Sequence, residues 1–344
     1  MGLPADAKLR AMTDLPPLRY LSAADVVAAM PPLPERLDLA ERTLRGLAAG
    51  AELPPKIGVH PRPDGAFAHA MPAFLAGGAP DGADDLLGMK WVLGFATNNA
   101  IGLPAIHGLL LLDDPATGVP TAILDAGPIT AERTAATSGV AIRAFAPAVT
   151  GRAPRVALIG AGVQGRSHVP VLAHVLPGLE LAVFDRDPDR AASLAETARR
   201  TDGIAAAQVA PSARDAVEGA DVVVTVASFV APPERQVMTN AWLTPEALVV
   251  PVDYATYCSA EVARGASLFL VDHEAQFLAN RDAGNFDGYP DPAATIGDAL
   301  AGGWSRPAGR VVTTHLGTGL ADVVFGAAIV AAAAERGLGT LLDR

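Results

Sequence analysis

The chain has 344 residues, half of them apolar and 18% charged, with 26 Lys plus Arg against 37 Asp plus Glu for a formal net charge of −11. That balance argues against a nucleic-acid surface, which needs a basic stripe, and against disorder, which needs low hydrophobicity with high charge; the single cysteine, Cys258, excludes an internal disulfide and a thiolate zinc cluster. The length suggests two domains, and only three residues are lysine: Lys8, read as a solvated charge near the N-terminus, Lys56 and Lys90.

In chain order, PPLPERLDLAERTLRGLAAG reads as a turn followed by an amphipathic helix, with Leu37, Leu39, Leu44 and Leu47 at helical spacing. KIGVHPRPDGAFAHAMPAFL alternates around Pro-Asp-Gly and predicts a β-hairpin. MKWVLGFAT and GLLLLDDPATGVPTAILDAG continue the strand pattern, the second turning at Asp-Pro-Ala-Thr-Gly, so this part predicts a helix plus an antiparallel sheet. From Thr130 the period changes: ITAERTAATSGVAIRAFA is a helix of small residues suited to close packing. After a Gly151–Pro154 linker, RVALIG, LELAVFD and ADVVVTVAS alternate with helical segments, and this βαβαβ pattern of continuous apolar strands implies a parallel sheet covered on both faces. ASLFLVDH adds a strand before a polar stretch and an Ala-rich C-terminal helix. The apolar run Val323–Ala334 is much shorter than the ~18–20 residues of a membrane span. Charges in MGLPADAKLRAMTD stand where a signal peptide needs an apolar core, so a cytoplasmic address is expected.

The sharpest motif is VALIGAGVQG. Gly160, Gly162 and Gly165 form G-x-G-x-x-G directly after an apolar strand and at a helix start, and Asp185 closes the second strand 25 residues after Gly160. The first glycine permits the tight turn, the second lets a pyrophosphate approach the backbone, and the helix start offers unpaired N–H groups. Asp185 is suited to the ribose hydroxyls and would repel a 2′-phosphate, which predicts NAD rather than NADP; Arg186 beside it points the other way.

Three charged residues stand in notable surroundings. Lys90, in GMKWVLGF, is met by a lysine that snorkels from a strand edge to solvent, or by an ammonium held among apolar neighbours that can polarise a carbonyl or imine. Arg133 heads the small-residue helix, either as an exposed helix arginine or as a guanidinium gripping a carboxylate or pyrophosphate. Asp253 ends the strand of LVVPVDYATYC, either as a cap for the next turn or, at the carboxyl end of a strand where α/β sheets bind ligands, as a proton donor or acceptor. The seven histidines form no i, i+4 pair, so no metal site is expected.

In order and spacing, PPKIGVH, the AMPAFL segment, GMKWVLGF, GLPAIHGLLLLDDPATGVPTAILDAG, ITAERTAATSGVA, VALIGAGVQGRS, VFDRDP, EGADVVVTVAS, VVPVD and GTGLADVV resemble the ornithine cyclodeaminase/mu-crystallin family, from about Leu53 onward. The resemblance implies an α/β protein: a Rossmann-type doubly wound parallel sheet, residues 131–311, inserted into an α+β substrate-binding and dimerisation domain, residues 1–130 completed by 312–344. It implies substrate contacts for Lys90, Lys56, His69 and Arg133, and catalysis by Lys90 and Asp253. Cofactor contacts are implied for Arg133, Gly160, Gly162, Val163, Gln164, Asp185, Thr225 and Ser228. The chain departs from the family at Lys56, where relatives have an arginine, at His69, where diamine cyclodeaminases have a glutamate able to hold a distal amine, and in DYATYCSAE, where they have a Pro-Gly-Lys-type turn.

The function so implied is an NAD-dependent oxidoreductase acting at the α-carbon of a small amino or imino acid, as a homodimer and with neither nucleic acid nor membrane as partner. Two alternatives stand beside it: an ornithine or lysine cyclodeaminase that releases ammonia with no net NADH, and a non-catalytic binder of dinucleotide or small ligand.

Overall fold

In a computed structural model, which describes residues 15–79 and 82–344, the change of period near Thr130 coincides with a division of the chain into two compact units. One takes the chain up to Pro32, Ala51–Thr130 and Thr318–Arg344; the other takes Leu33–Gly50 and Ala131–Gly317. Lys8 lies outside the described residues. Among the described residues no helix is long and apolar enough to cross a membrane.

The first unit is built on a seven-stranded sheet of β1 (Leu18–Leu21), β2 (Ile57–Val59), β3 (Phe67–Leu75), β4 (Leu86–Gly94), β5 (Ile106–Asp113), β6 (Pro120–Asp125) and the strand Thr340–Leu342. Their order is Thr340–Leu342, β1, β6, β5, β4, β3, β2, antiparallel throughout except that β1 runs parallel to β6. The turn chemistry sets the register. Gly65 supplies the left-handed residue of the Pro-Asp-Gly turn at φ 84°, and the Asp114 carboxylate accepts from the amides of Ala116 and Thr117 at 2.8 and 3.1 Å to close the β5–β6 hairpin. Helix Gly319–Glu335 covers one face, brought close by glycine: a Cβ at Gly319 would run into the Met71 carbonyl, and one at Gly326 into Leu110. The other face is apolar and open, with Trp91 38% and Leu109 47% exposed and paired across β4 and β5.

In the second unit, α1 (Leu33–Ala48) and α2 (Ala126–Phe145, whose first turn belongs to the other unit) join α3 (Val163–Val175) and α4 (Pro188–Arg199) around a sheet. Its strands are β7 (Arg155–Ile159), β8 (Leu179–Phe184), β9 (Ile204–Val209), β10 (Val222–Thr225), β11 (Leu248–Pro251), β12 (Leu268–Val271), β13 (Ala294–Thr295) and β14 (Val311–Thr314). All pair in parallel, in the order β13-β12-β14-β11-β10-β7-β8-β9. Strands β10, β11, β12 and β14 are buried at every residue, the condition of a sheet covered on both faces. The order reverses between β7 and β10, and a doubly wound sheet binds its ligand at the carboxyl ends flanking that switch point.

Two segments fall elsewhere than the chain-order reading placed them. Helix α1 packs in the second unit, where Gly297 of helix Ile296–Ala301 lies against the Leu44 carbonyl and Gly139 of α2 lies against Leu37. Residues 312–317 also belong there, because β14 inserts between β11 and β12. Both placements depend on non-local contacts, which neither the helical period nor a four-residue apolar run announces.

Candidate active site

At the end of β7 the chain turns through Gly160 at φ 113°, where a Cβ would lie 2.7 Å from the Val226 carbonyl. Gly162 caps α3 without a side-chain hydrogen bond, and space is open over its Cα at the first turn that Val163 and Gln164 begin. Gly165 packs onto the Gly160 carbonyl, closing the turn on the helix. A cavity of about 320 Å³ lies over this turn, lined among others by Gly160, Gly162, Asp185, Arg186, Arg190 and Ser228. The Asp185 carboxylate accepts from the amides of Ala161 (2.7 Å) and Asp187 (2.9 Å), tying β8 to the glycine turn. An uncapped helix start, a turn that tolerates no side chain and an acid at its far wall fit a dinucleotide.

Beyond the turn, Thr225 ends β10 fully buried, and the Ala227 amide donates to Asp253 Oδ2 at 3.4 Å. Asp253 follows β11, is 2% exposed, and its Oδ1 is buried without a hydrogen-bond partner among the described residues. Burial is the largest influence on it and pushes its carboxyl up to about 6 against the Thr225 hydroxyl and the Ala227 amide, which favour the charged form. It is therefore a buried acid able to change protonation state near neutral pH, one residue removed from the cavity wall. Cys258 is buried and its thiol pushed up to about 12, so it offers no thiolate.

Arg133 is buried in α2 with its guanidinium against Gly317, where any side chain would collide with it. That loop is fixed from below: Asp272 Oδ2 accepts from the amides of Leu316 (3.0 Å) and Gly317 (2.9 Å), Gln276 donates to the Gly317 carbonyl at 3.2 Å, and the Tyr254 hydroxyl donates to the Leu316 carbonyl at 3.2 Å. Beside it, Ser138 of α2 bridges two buried histidines, lying 2.8 Å from His315 Nε2 and 2.8 Å from His168 Nε2. Burial, the largest cause for each, holds His168 at about 4 and His315 at about 3. Both values lie below the ordinary imidazole value of about 6.5, so the unfolded chain takes up protons that the folded chain refuses. Their contribution to stability is complete above about pH 6.5 and is lost as pH falls toward 4. We expect urea midpoints to drop through that window, most cleanly in an Asp253→Asn background, where a carboxyl of opposite dependence is removed; a flat profile in that background would contradict the assignment.

The first unit holds the remaining candidates. Lys90 on β4 is 1% exposed, on the sheet face covered by the C-terminal helix, with Met71 and Leu110 as its strand neighbours. Its ammonium lies 2.5 Å from Asp322 Oδ2, in the first turn of that helix, and donates toward the Thr130 hydroxyl at 3.5 Å. The pair is fully desolvated, so each charge depends on the other. Lys56 and His69 meet at the β2–β3 hairpin. There the half-buried His69 stacks on Phe67 at 4.6 Å and lies over Gly58, whose missing side chain makes room for the ring. Burial first, then the charges of Lys56 and His60, lower the His69 imidazole to about 4.

The structure thus gathers Gly160, Gly162, Asp185 and Ser228 around one cavity with Val163 and Gln164 in the adjoining helix turn, sets Thr225 and Asp253 at neighbouring strand ends, and gives Arg133 its own seat on Gly317. Within the first unit His69 pairs with Val92, two residues along β4 from Lys90 and on the same face of the sheet, and Lys56 directly precedes β2 beside it. Asp322, Asp272, Ser138, His168 and His315 were missed in the sequence. Asp322 had a signal, a lone acid opening an apolar helix within GTGLADVV; the histidines had none, because the serine joining them is distant in the chain.

A model of the ornithine cyclodeaminase/mu-crystallin family matches residues 21–334. The chain belongs to that family. Among curated members it is similar to the nodulation efficiency protein NfeD of Rhizobium meliloti, at 36% identity over 336 residues, 95% of this chain and 99% of the relative. It is also similar to a Delta(1)-pyrroline-2-carboxylate/Delta(1)-piperideine-2-carboxylate reductase of Azospirillum brasilense, at 31% identity over 303 residues, 86% of this chain and 90% of that one. Among solved structures, the Delta(1)-pyrroline-2-carboxylate reductase of Thermococcus litoralis, in complex with NADH and L-proline, superposes with a TM-score of 0.80 over 94% of this chain and 99% of its own, at 24% identity, and so shares its fold.

Proposed function

We propose that the protein is an NAD-dependent reductase of small imino acids, with cyclic ketimines such as Delta(1)-pyrroline-2-carboxylate as the substrate class. The observation that carries this is Asp253: a buried carboxyl held at about 6 beside the dinucleotide cavity, protonated often enough near neutral pH to give a proton to a nascent amine. NADH, when bound, supplies the hydride that adds to the imine carbon. In this reading Arg133, with Lys56, holds the substrate carboxylate, Lys90 polarises the C=N bond with its charge maintained by Asp322, and Asp253 delivers the proton to nitrogen. The similarity to the Azospirillum reductase supports the substrate class. The diamine cyclodeaminase alternative needs an acid to hold a distal ammonium, and His69, kept neutral and beside Lys56, is unsuited to that.

Gly160, Gly162, Asp185 and Ser228 would hold the dinucleotide, with the amides at Val163 and Gln164 toward the pyrophosphate. The Asp185 charge in the ribose wall favours NAD, although Arg186 and Arg190 line the same cavity. The test follows absorbance of NADH and NADPH in parallel against Delta(1)-pyrroline-2-carboxylate, pyruvate with ammonia, and ornithine. Oxidation of NADH by the cyclic imine is the expected result; ammonia release from ornithine without net NADH would establish the cyclodeaminase instead, and cofactor binding without turnover on any of them a binder.

A homodimer completes the proposal. The open sheet face carrying Trp91 and Leu109, continued by Met89, Leu111 and Ile123, needs a second layer, and a second copy of the same face provides one. Sedimentation should show a dimer that Trp91→Glu converts to monomer; a monomeric parent protein would rule this out.

A further inference from the structure

The hydrogen bonds around Ser138 run in one direction only. The Gln164 carbonyl lies 2.7 Å from His168 Nδ1 and can only accept, so Nδ1 carries the proton and the Nε2 of this neutral ring must accept. The Ser138 hydroxyl has one proton and gives it to His168 Nε2, so His315 Nε2 must donate to Ser138 Oγ. His315 Nδ1 is thereby left as a lone pair. It is buried, it has no hydrogen-bond partner among the described residues, and its residue is only 2% exposed. Protonation does not rescue it, since burial and the charge of Arg133 keep the ring neutral.

An unpaired buried acceptor is a standing cost that a native fold seldom carries without use. The position of this one suggests the use. His315 directly follows β14, beside β11 in the half of the sheet beyond the switch point, with the β14 end fixed to the β11 end by Thr314 Oγ1 donating to the Pro251 carbonyl at 2.6 Å. Two residues on, Gly317 seats Arg133. When the pyrophosphate lies on the glycine turn at β7, this half of the sheet receives the nicotinamide and the substrate.

We propose that His315 Nδ1 is a ligand-binding acceptor, its tautomer set by Ser138, His168 and the Gln164 carbonyl, for an N–H donor that is either the carboxamide of the nicotinamide or the nitrogen of the imino acid. The inference rests on the dinucleotide reading above. His315→Gln tests it, because glutamine can keep the Ser138 contact at the Nε2 position and offers nothing at Nδ1; His315→Asn keeps an acceptor near Nδ1. Binding of NADH is read by fluorescence, alongside the reduced 3-acetylpyridine analogue, which has no carboxamide N–H. If the carboxamide is the donor, His315→Gln weakens NADH about 10-fold and leaves the analogue unchanged, Asn restores part of the loss, and the parent protein already prefers NADH to the analogue. If the imino acid is the donor, NADH binding is unchanged and KM for Delta(1)-pyrroline-2-carboxylate rises about 10-fold. Unchanged Kd and KM in a His315→Gln variant of parental Tm would overturn the proposal. Should that variant not fold, equal affinity of the parent protein for NADH and the analogue, with an unchanged KM in His315→Asn, would do so. A parent protein that binds neither NADH nor NADPH would instead remove the dinucleotide reading beneath it.

Discussion

Lys90→Met is expected to lower kcat by about 10²–10⁴-fold while the Kd for NADH, which the proposed function assigns to residues of the other unit, changes little. The same change strips Asp322 of its partner in a fully buried site. Leaving one charge of such a pair uncompensated costs about 3–5 kcal/mol, a large share of the roughly 5–15 kcal/mol that holds a domain folded. Activity loss and destabilisation must therefore be separated, and the double variant Lys90→Met/Asp322→Leu does so. With both charges gone the site is apolar, so its urea midpoint should return most of the way toward the parent value while turnover stays absent. Asp322→Asn is expected to lose turnover as well, because Lys90 then lacks the charge that keeps its ammonium in place. Turnover near the parent level in the folded Lys90 variant would eliminate the role given to that lysine.

Asp253→Asn is expected to abolish turnover and at the same time to stabilise the protein. The carboxyl stands at about 6 in the fold against 3.8 for an unperturbed side chain. Below about pH 4 both states are protonated and the group costs nothing. As pH rises from 4 through 6 the unfolded chain ionises freely while the folded chain resists, so stability falls by about 3 kcal/mol across that window. Asparagine cannot ionise, and the variant should therefore exceed the parent protein above pH 6 and match it near pH 4. Chemical denaturation at the two pH values checks this. A variant less stable than the parent at pH 7 would show that the carboxylate is held by favourable contacts and is not a poised acid.

The legibility of the site in the sequence varied with how local its physics is. The glycine turn could be read because strand, turn and helix start are contiguous and each glycine answers a steric demand within a few residues, as the Val226 carbonyl against Gly160 shows. Asp253 could be placed at a strand end, but its raised pKa could not be read, since it comes from burial by distant segments. For Lys90 the sequence offered apolar neighbours and left snorkelling open; the partner that decides the matter, Asp322, comes from a helix more than 200 residues later in the chain. Helix α1 had the correct period, yet its packing face was chosen by glycines at positions 139 and 297.

The amino-acid order alone determined the family, the alternation that builds a parallel sheet, the hairpins and the glycine turn, because these depend on periods of two and 3.6 residues and on turn chemistry between near neighbours. Only the tertiary structure decided which unit takes α1 and β14, that Lys90 is neutralised by Asp322, and that Ser138 joins His168 to His315. Each of these is a contact between segments far apart in the chain, and the cost of removing charge and hydrogen-bonding groups from water appears only once such segments close on one another.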